Sequence, residues 1–194
     1  MRRPTTPRPA RTRLARTSAA LLLSAALLFA PGCDSADGEP RGQAGLALED
    51  VNPSSPTFGQ TVAPEDLLGR ASAWYFTRAT CPYCTRQYGI LSQLAADWAD
   101  AHPDRPLIIV AVNHDDARAG LDTLVSEGDL PILQDTAAGD LWGAWEVTWR
   151  DLIVLDPRGE RVGVLNLTEH DLADEEHLQT LEALLLEATE GQEG

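Results

Sequence analysis

Apolar residues along the chain fall into two kinds of run. Residues 71–76 and 107–112 are almost uninterrupted apolar stretches, the composition of strands covered on both faces in a parallel sheet. Cys84, Tyr88, Leu91, Leu94, Ala95 and Trp98 recur instead at helical spacing. They put one apolar face on a helix that opens at Cys81-Pro82 and stops before His102-Pro103. Pro82 suits the first turn, where a missing N–H costs nothing. Upstream, residues 46–51 read as an entry strand, 52–56 as a turn cluster, 58–62 as a short hairpin arm, and 64–68 as a short helix ended by Gly69. Downstream, the pattern predicts a helix over 117–126, a short strand at 131–133 and a short helix over 138–145. Residues 152–155 and 162–165 flank Asp156-Pro157-Arg158-Gly159, a turn sequence that makes them an antiparallel hairpin. A last helix is expected from near Asp171, carrying Leu178, Leu181, Leu184 and Leu185 inward. The order β-α-β-α-β-β-α, with further strands ahead of it, predicts an α/β fold, a central mixed β-sheet with helices on both faces.

Composition changes this picture at the ends and on the surface. Every basic residue among the 15 is Arg, and six of them precede Cys33, where there is no Asp or Glu. The remainder sets 9 Arg against 30 acids, a formal net charge of −21. Such a body repels phosphate backbones, so no nucleic-acid partner is expected, and the acids read as a solvated surface. The Arg-rich start leads into an apolar run from Ala19 to Ala30, too short to span a bilayer. Residues 1–32 are therefore read as a signal peptide, 33–45 as a flexible tether rich in Gly, Asp, Ser and Ala, 46–190 as the folded domain, and 191–194 as a disordered tail. Ala30-Pro31-Gly32-Cys33 resembles the processing site of bacterial lipoproteins. That resemblance makes Cys33 the lipidated N-terminus of an exported protein, tethered to a membrane and facing the periplasm or cell exterior. An ordinary signal peptide with a cysteine at its cleavage site is the other reading.

With Cys33 assigned to the anchor, Cys81 and Cys84 remain, three apart, in Cys81-Pro82-Tyr83-Cys84. A buried strand, then two cysteines, then a helix is the layout of a dithiol–disulfide redox site. The first thiol falls at the helix N-cap, where free N–H groups and the helix dipole favour a thiolate, and is expected to titrate below the ordinary value of about 8.5. Cys81 is thus the expected nucleophile and Cys84 the resolving thiol. No cofactor and no metal is called for, and the substrates are protein or small thiols and disulfides. A monomer is expected.

Motif and element order together resemble the thioredoxin-like superfamily, in its extracytoplasmic redoxin branch, over roughly residues 46–188. Within it, Cys81-Pro82-Tyr83-Cys84, Ile109-Val110-Ala111-Val112-Asn113-His114, Asp140-Leu141-Trp142 and Asp151-Leu152-Ile153-Val154-Leu155-Asp156 are similar to the N-terminal domain of selenoprotein P. That family carries selenocysteine where Cys81 stands, which supports Cys81 as the attacking residue. Three departures from the superfamily matter. The position of the thioredoxin cis-proline, counted back from Asp156, holds Arg150; the position of the buried carboxylate, six before Cys81, holds Tyr75; and Pro82-Tyr83 is the glutaredoxin dipeptide without that family's glutathione-binding segment.

Supporting roles follow with their alternatives. Pro82 and Tyr83 tune the helix start and the contact surface. Arg150 either faces the dithiol and favours its thiolate, or lies on the surface paired with Asp151 or Glu146. Asn113 and His114 end a parallel strand at the carboxyl edge where active sites gather, and His114 either relays protons or binds a metal, or hydrogen-bonds locally. Trp142, Trp145 and Trp149 read as core or groove lining, and His170 and His177 are given no role. The primary functional reading is a lipid-anchored thiol–disulfide oxidoreductase. Thiol-dependent peroxidase, suggested by Arg150, and Cu(I) carrier, through Cys81, Cys84 and a histidine, are the alternatives.

Overall fold

The computed structural model describes residues 46–190. The expected signal peptide, Cys33, tether and tail lie outside the described residues. Seven strands form one mixed sheet: β1 (Leu48–Asp50), β2 (Thr61–Val62), β3 (Ala71–Thr77), β4 (Leu107–Asn113), β5 (Ile132–Gln134), β6 (Asp151–Leu155) and β7 (Arg161–Asn166). Their order across the sheet is β2-β1-β5-β4-β3-β6-β7. β3, β4 and β5 run parallel, while β6 and β7 on one side and β1 and β2 on the other are antiparallel additions.

All seven residues of β3 are buried, as its apolar run requires, and its alternating side chains feed two cores. Ala71, Ala73 and Tyr75 face α1 (Pro82–Ala101) and α4 (Glu175–Thr189), with Tyr88, Leu91, Leu181 and Leu185 in the same cluster. Trp74 and Phe76 point to the other face, against Trp142 and Trp145 around α3 (Leu141–Ala144). There Trp74 and Trp145 sit 5.1 Å apart and Phe76 meets Trp142 edge-on at 5.6 Å, tilted pairs of a kind that add about 1 kcal/mol each beyond area burial. Two of the three tryptophans are thus core.

Several expected elements are shorter than their patterns suggest, each for a local reason. The helix over 117–126 is a 3-10 turn, Asp115–Gly120, followed by α2 (Leu121–Val125). Gly120 makes the joint: a Cβ there would lie 2.3 Å from the Ala79 carbonyl carbon and 2.6 Å from the Thr80 nitrogen, so this turn packs directly on the backbone ahead of Cys81. The stretch 64–68 is likewise a 3-10 turn, Pro64–Leu67. The helix at 138–145 shrinks to α3 because Asp140, at φ +40°, caps Gly143 N–H from the left-handed region. The final helix starts at Glu175 under Asp174, not near Asp171. Asp171 instead takes Arg86 at 2.6 Å and Gln87 at 2.7 Å, which fixes the chain entering α4 to α1. Only Thr61 and Val62 of the expected arm pair as strand, and Phe58 is exposed.

Candidate active site

β3 ends at Thr77 and the chain turns through Arg78–Thr80 into α1, with Cys81 N–H donating to the Arg78 carbonyl at 3.0 Å. Asn113, at the end of β4, holds this turn in place. Its Oδ1 accepts Ala79 N–H at 2.8 Å while its Nδ2 donates to Gln134 Oε1 at 2.7 Å, all out of water. The sequence puts Asn113 at the functional edge, and the structure gives it to the loop that carries Cys81 rather than to the sulfurs.

Cys81 is the N-cap residue of α1, with extended backbone (φ −103°, ψ 112°), and its sulfur is the cap: Sγ accepts Cys84 N–H at 3.2 Å. One of the helix's unpartnered donors therefore ends on the sulfur expected to attack. Pro82 occupies the first turn, as its fixed φ favours. Both cysteines are free thiols. Cys81 keeps 9% of its surface exposed and Cys84 none, so Cys81 is the more accessible sulfur.

Arg150 faces the dithiol. It precedes β6, which lies beside β3, and its backbone is pinned on both sides: N–H donates to the Phe76 carbonyl at 3.0 Å, and its carbonyl accepts Leu167 N–H at 2.9 Å. Its φ of +75° lies in the left-handed region, which costs a non-glycine residue about 1–2 kcal/mol. The guanidinium reaches Cys81 Sγ at 3.7 Å and Thr168 Oγ1 at 3.3 Å, over the rings of Tyr83 (4.6 Å) and Trp149 (4.4 Å). Neither Asp151 nor Glu146 pairs with it; Asp151 caps Thr148 N–H instead. The Tyr83 hydroxyl donates to the Leu167 carbonyl, so the second residue between the cysteines ties α1 to the segment after β7.

Sequence reasoning grouped Trp149 with core or groove lining and missed its contact with a sulfur. Its ring is 44% exposed, while Trp142 and Trp145 are buried, and its Nε1–H donates to Cys84 Sγ at 3.3 Å. Arg78 lies over the same ring at 5.5 Å and forms an ion pair with Asp116. The only sequence clue was adjacency to Arg150. Burial pushes the Cys84 thiol up, but hydrogen bonds from Cys81, Arg150, the Arg78 backbone and Trp149 outweigh it, and the net shift is downward.

Tyr75, in place of the buried carboxylate, is fully buried and its hydroxyl has no hydrogen-bond partner by geometry. Burial, then the charge of Cys84, holds its pKa well above the ordinary tyrosine value. It stays protonated and cannot accept the Cys84 proton.

His114 does not join the sulfurs. It caps the 3-10 turn at 115–120, with Nδ1 at 2.8 Å from Asp116 and 2.9 Å from Asp115, and its ring meets Trp142 edge-on at 4.6 Å. The strand direction brought its backbone to the active edge, and the turn carried its side chain away. Among the described residues, His114, Asp115 and Asp116 form the one three-ligand cluster, and neither sulfur belongs to it. His170 and His177 meet edge-on at 5.2 Å, with His177 Nδ1 at 3.2 Å from the Asp171 carbonyl.

No protein-family model and no curated protein matches the chain. Solved structures do. A candidate protein disulfide isomerase from Bacteroides thetaiotaomicron superposes with a TM-score of 0.56 at 16% identity, covering 74% of this chain and 84% of that one. Copper-bound ScoI from Arabidopsis thaliana gives 0.56 at 14%, covering 73% and 96%. A candidate thiol:disulfide interchange protein DsbE from Chlorobium tepidum gives 0.52 at 16%, covering 72% and 92%. At these identities the likeness is one of fold, and the fold is thioredoxin-like.

Proposed function

We propose that this protein is a thiol–disulfide oxidoreductase, exported and lipid-anchored through Cys33, with Cys81 as nucleophile and Cys84 as resolving thiol. The observation that carries the reading is the placement of Cys81: its sulfur caps the N-terminus of α1, faces the Arg150 guanidinium at 3.7 Å and is the more exposed of the pair. In one direction the Cys81 thiolate attacks a substrate disulfide, and a Cys81–substrate bond replaces the substrate S–S bond. The departing substrate sulfur leaves as thiolate and takes a proton from water. Cys84 then attacks Cys81, forms the internal disulfide and frees the second substrate sulfur. The opposite direction runs the same steps backwards. Protein or small-molecule thiols and disulfides are the substrate class.

Peroxidase activity is the second reading, favoured by the same guanidinium beside Cys81. The copper in ScoI belongs to that protein. Here a fixed positive charge stands beside the sulfurs, and it opposes capture of a cation such as Cu(I).

Trapping tests the reading. Cys84→Ser is expected to accumulate mixed disulfides between Cys81 and client proteins, and Cys81→Ser to lose at least 100-fold in thiol-exchange rate. Peroxide consumption by wild type without disulfide exchange transfers the assignment to the second reading; no covalent adducts and no exchange ends the first.

A further inference from the structure

Three donors at the site are aimed at sulfurs that can be charged only in the dithiol state. Cys84 N–H and the Arg150 guanidinium converge on Cys81 Sγ, and Trp149 Nε1–H ends on Cys84 Sγ. A disulfide sulfur is neutral and a poor acceptor, so oxidation weakens all three contacts together. Arg150 forms no ion pair with a carboxylate among the described residues, and its Nε is already buried without a partner. Nor can it swing away easily, because its backbone is held between Phe76 and Leu167 and its head lies over Tyr83 and Trp149. The site is therefore better satisfied reduced than oxidised.

We propose, resting on the oxidoreductase reading above, that Trp149 and Arg150 clamp the dithiol state and so make the Cys81–Cys84 disulfide an oxidant of substrate dithiols. Stabilising the reduced form of a dithiol pair raises its appetite for electrons. The steps agree. A substrate thiolate attacks Cys81; the Cys81–Cys84 bond breaks and Cys84 leaves as a thiolate, met by the Trp149 N–H. The second substrate thiolate attacks the first substrate sulfur, and Cys81 leaves as a thiolate facing Arg150. The substrate dithiol loses two electrons and two protons and becomes a disulfide; the pair gains the two electrons, and the two protons pass to water. Both leaving sulfurs are the stabilised ones, which speeds departure as well as favouring it. An external disulfide, itself reduced to dithiol or two thiols, restores the oxidised pair. Trp149 acts here as a positioning residue for Cys84, contributing a single N–H.

The test uses purified full-length protein, a reduced two-cysteine peptide as probe, and a glutathione series for the equilibrium. Oxidised wild type is expected to pass its disulfide to the peptide. In Arg150→Met the equilibrium constant for reduction of the pair is expected to fall at least tenfold, about 30 mV toward reductant. Trp149→Phe, which keeps the ring but not the N–H, is expected to lower it severalfold, and Arg150→Lys to retain more than Arg150→Met. Exchange that proceeds with the same constant in all four proteins, or a wild-type disulfide that the reduced peptide leaves intact while dithiol wild type readily reduces the oxidised peptide, overturns the proposal and leaves the oxidoreductase reading standing. Absence of exchange in either direction removes both.

Discussion

At the scale of single residues, Arg150 combines a backbone cost with an electrostatic gain, and the two separate experimentally. Arg150→Gly relieves a left-handed φ of +75°, about 1–2 kcal/mol, and gives up cation–π contacts of similar size, about 0.5–2 kcal/mol. Its unfolding free energy in the oxidised state is therefore expected within about 1 kcal/mol of wild type. The reduced state behaves differently. Cys84 titrates below the ordinary thiol value in the fold, so it adds stability that is complete above that value and lost as pH falls through the lowered one. Urea unfolding of the reduced protein between about pH 7 and 9 is expected to show stability rising with pH in wild type and a flatter profile in Arg150→Gly. A pH profile identical in the two proteins contradicts the electrostatic role. Of these residues the two cysteines were legible from sequence, because their spacing, the strand before them and the helix after them are all local. Arg150 was reached by counting along a family pattern, and no periodicity pointed to it. Trp149 was not legible: its contact with Cys84 depends on a left-handed backbone at the next residue and on the antiparallel pairing of β6 with β3, neither of which a local pattern encodes.

Elements position the site through two contacts that carry no chemistry of their own. Asn113 ties β4 to the Arg78–Thr80 turn, and Gly120 lets the 3-10 turn rest on the Ala79–Thr80 backbone. Gly120→Ala inserts a methyl group against peptide atoms that have no rotamer to change, so the loop ahead of Cys81 must move. The expected cost is about 1–3 kcal/mol in urea unfolding. The reactivity of Cys81 toward alkylating agents is expected to change as well, although the substituted residue touches neither sulfur; unchanged stability and reactivity would show that the loop yields freely. The same contact explains why one amphipathic stretch over 117–126 became two short pieces. Its apolar spacing is continuous, but the closest backbone approach in the region falls at Gly120, and the helix is interrupted where the packing demands it. The start of α4 shifted for a comparable reason. Asp171 and Asp174 are equally good caps by residue type, and the choice was made by Arg86 and Gln87 on α1, which engage Asp171 first.

For the whole molecule, a mixed sheet with two cores was foreseeable from the alternation of runs, since a fully apolar strand such as β3 must be covered on both faces. The distribution of charge around the site was not. A body carrying 9 Arg against 30 acids sets Arg78 over Trp149, Arg86 over Tyr83 and Arg150 beside Cys81, and the first two are matched by Asp116 and Asp171. The unmatched one is Arg150, so the local field at the sulfurs is set by the redox state rather than by the acidic surface, which salt screens within about 8 Å. Trp149 gives the same state a visible form. Four of the five tryptophans are buried away from solvent, at 9% exposure or less, and only Trp149 is both wet and in contact with a sulfur. The long-wavelength edge of the protein's emission therefore belongs to one indole, whose quenching changes when its neighbour passes from thiolate to disulfide. The molecule is expected to report its own oxidation in real time, without a label, and Trp149→Phe to erase the signal while leaving the emission of the buried four in place.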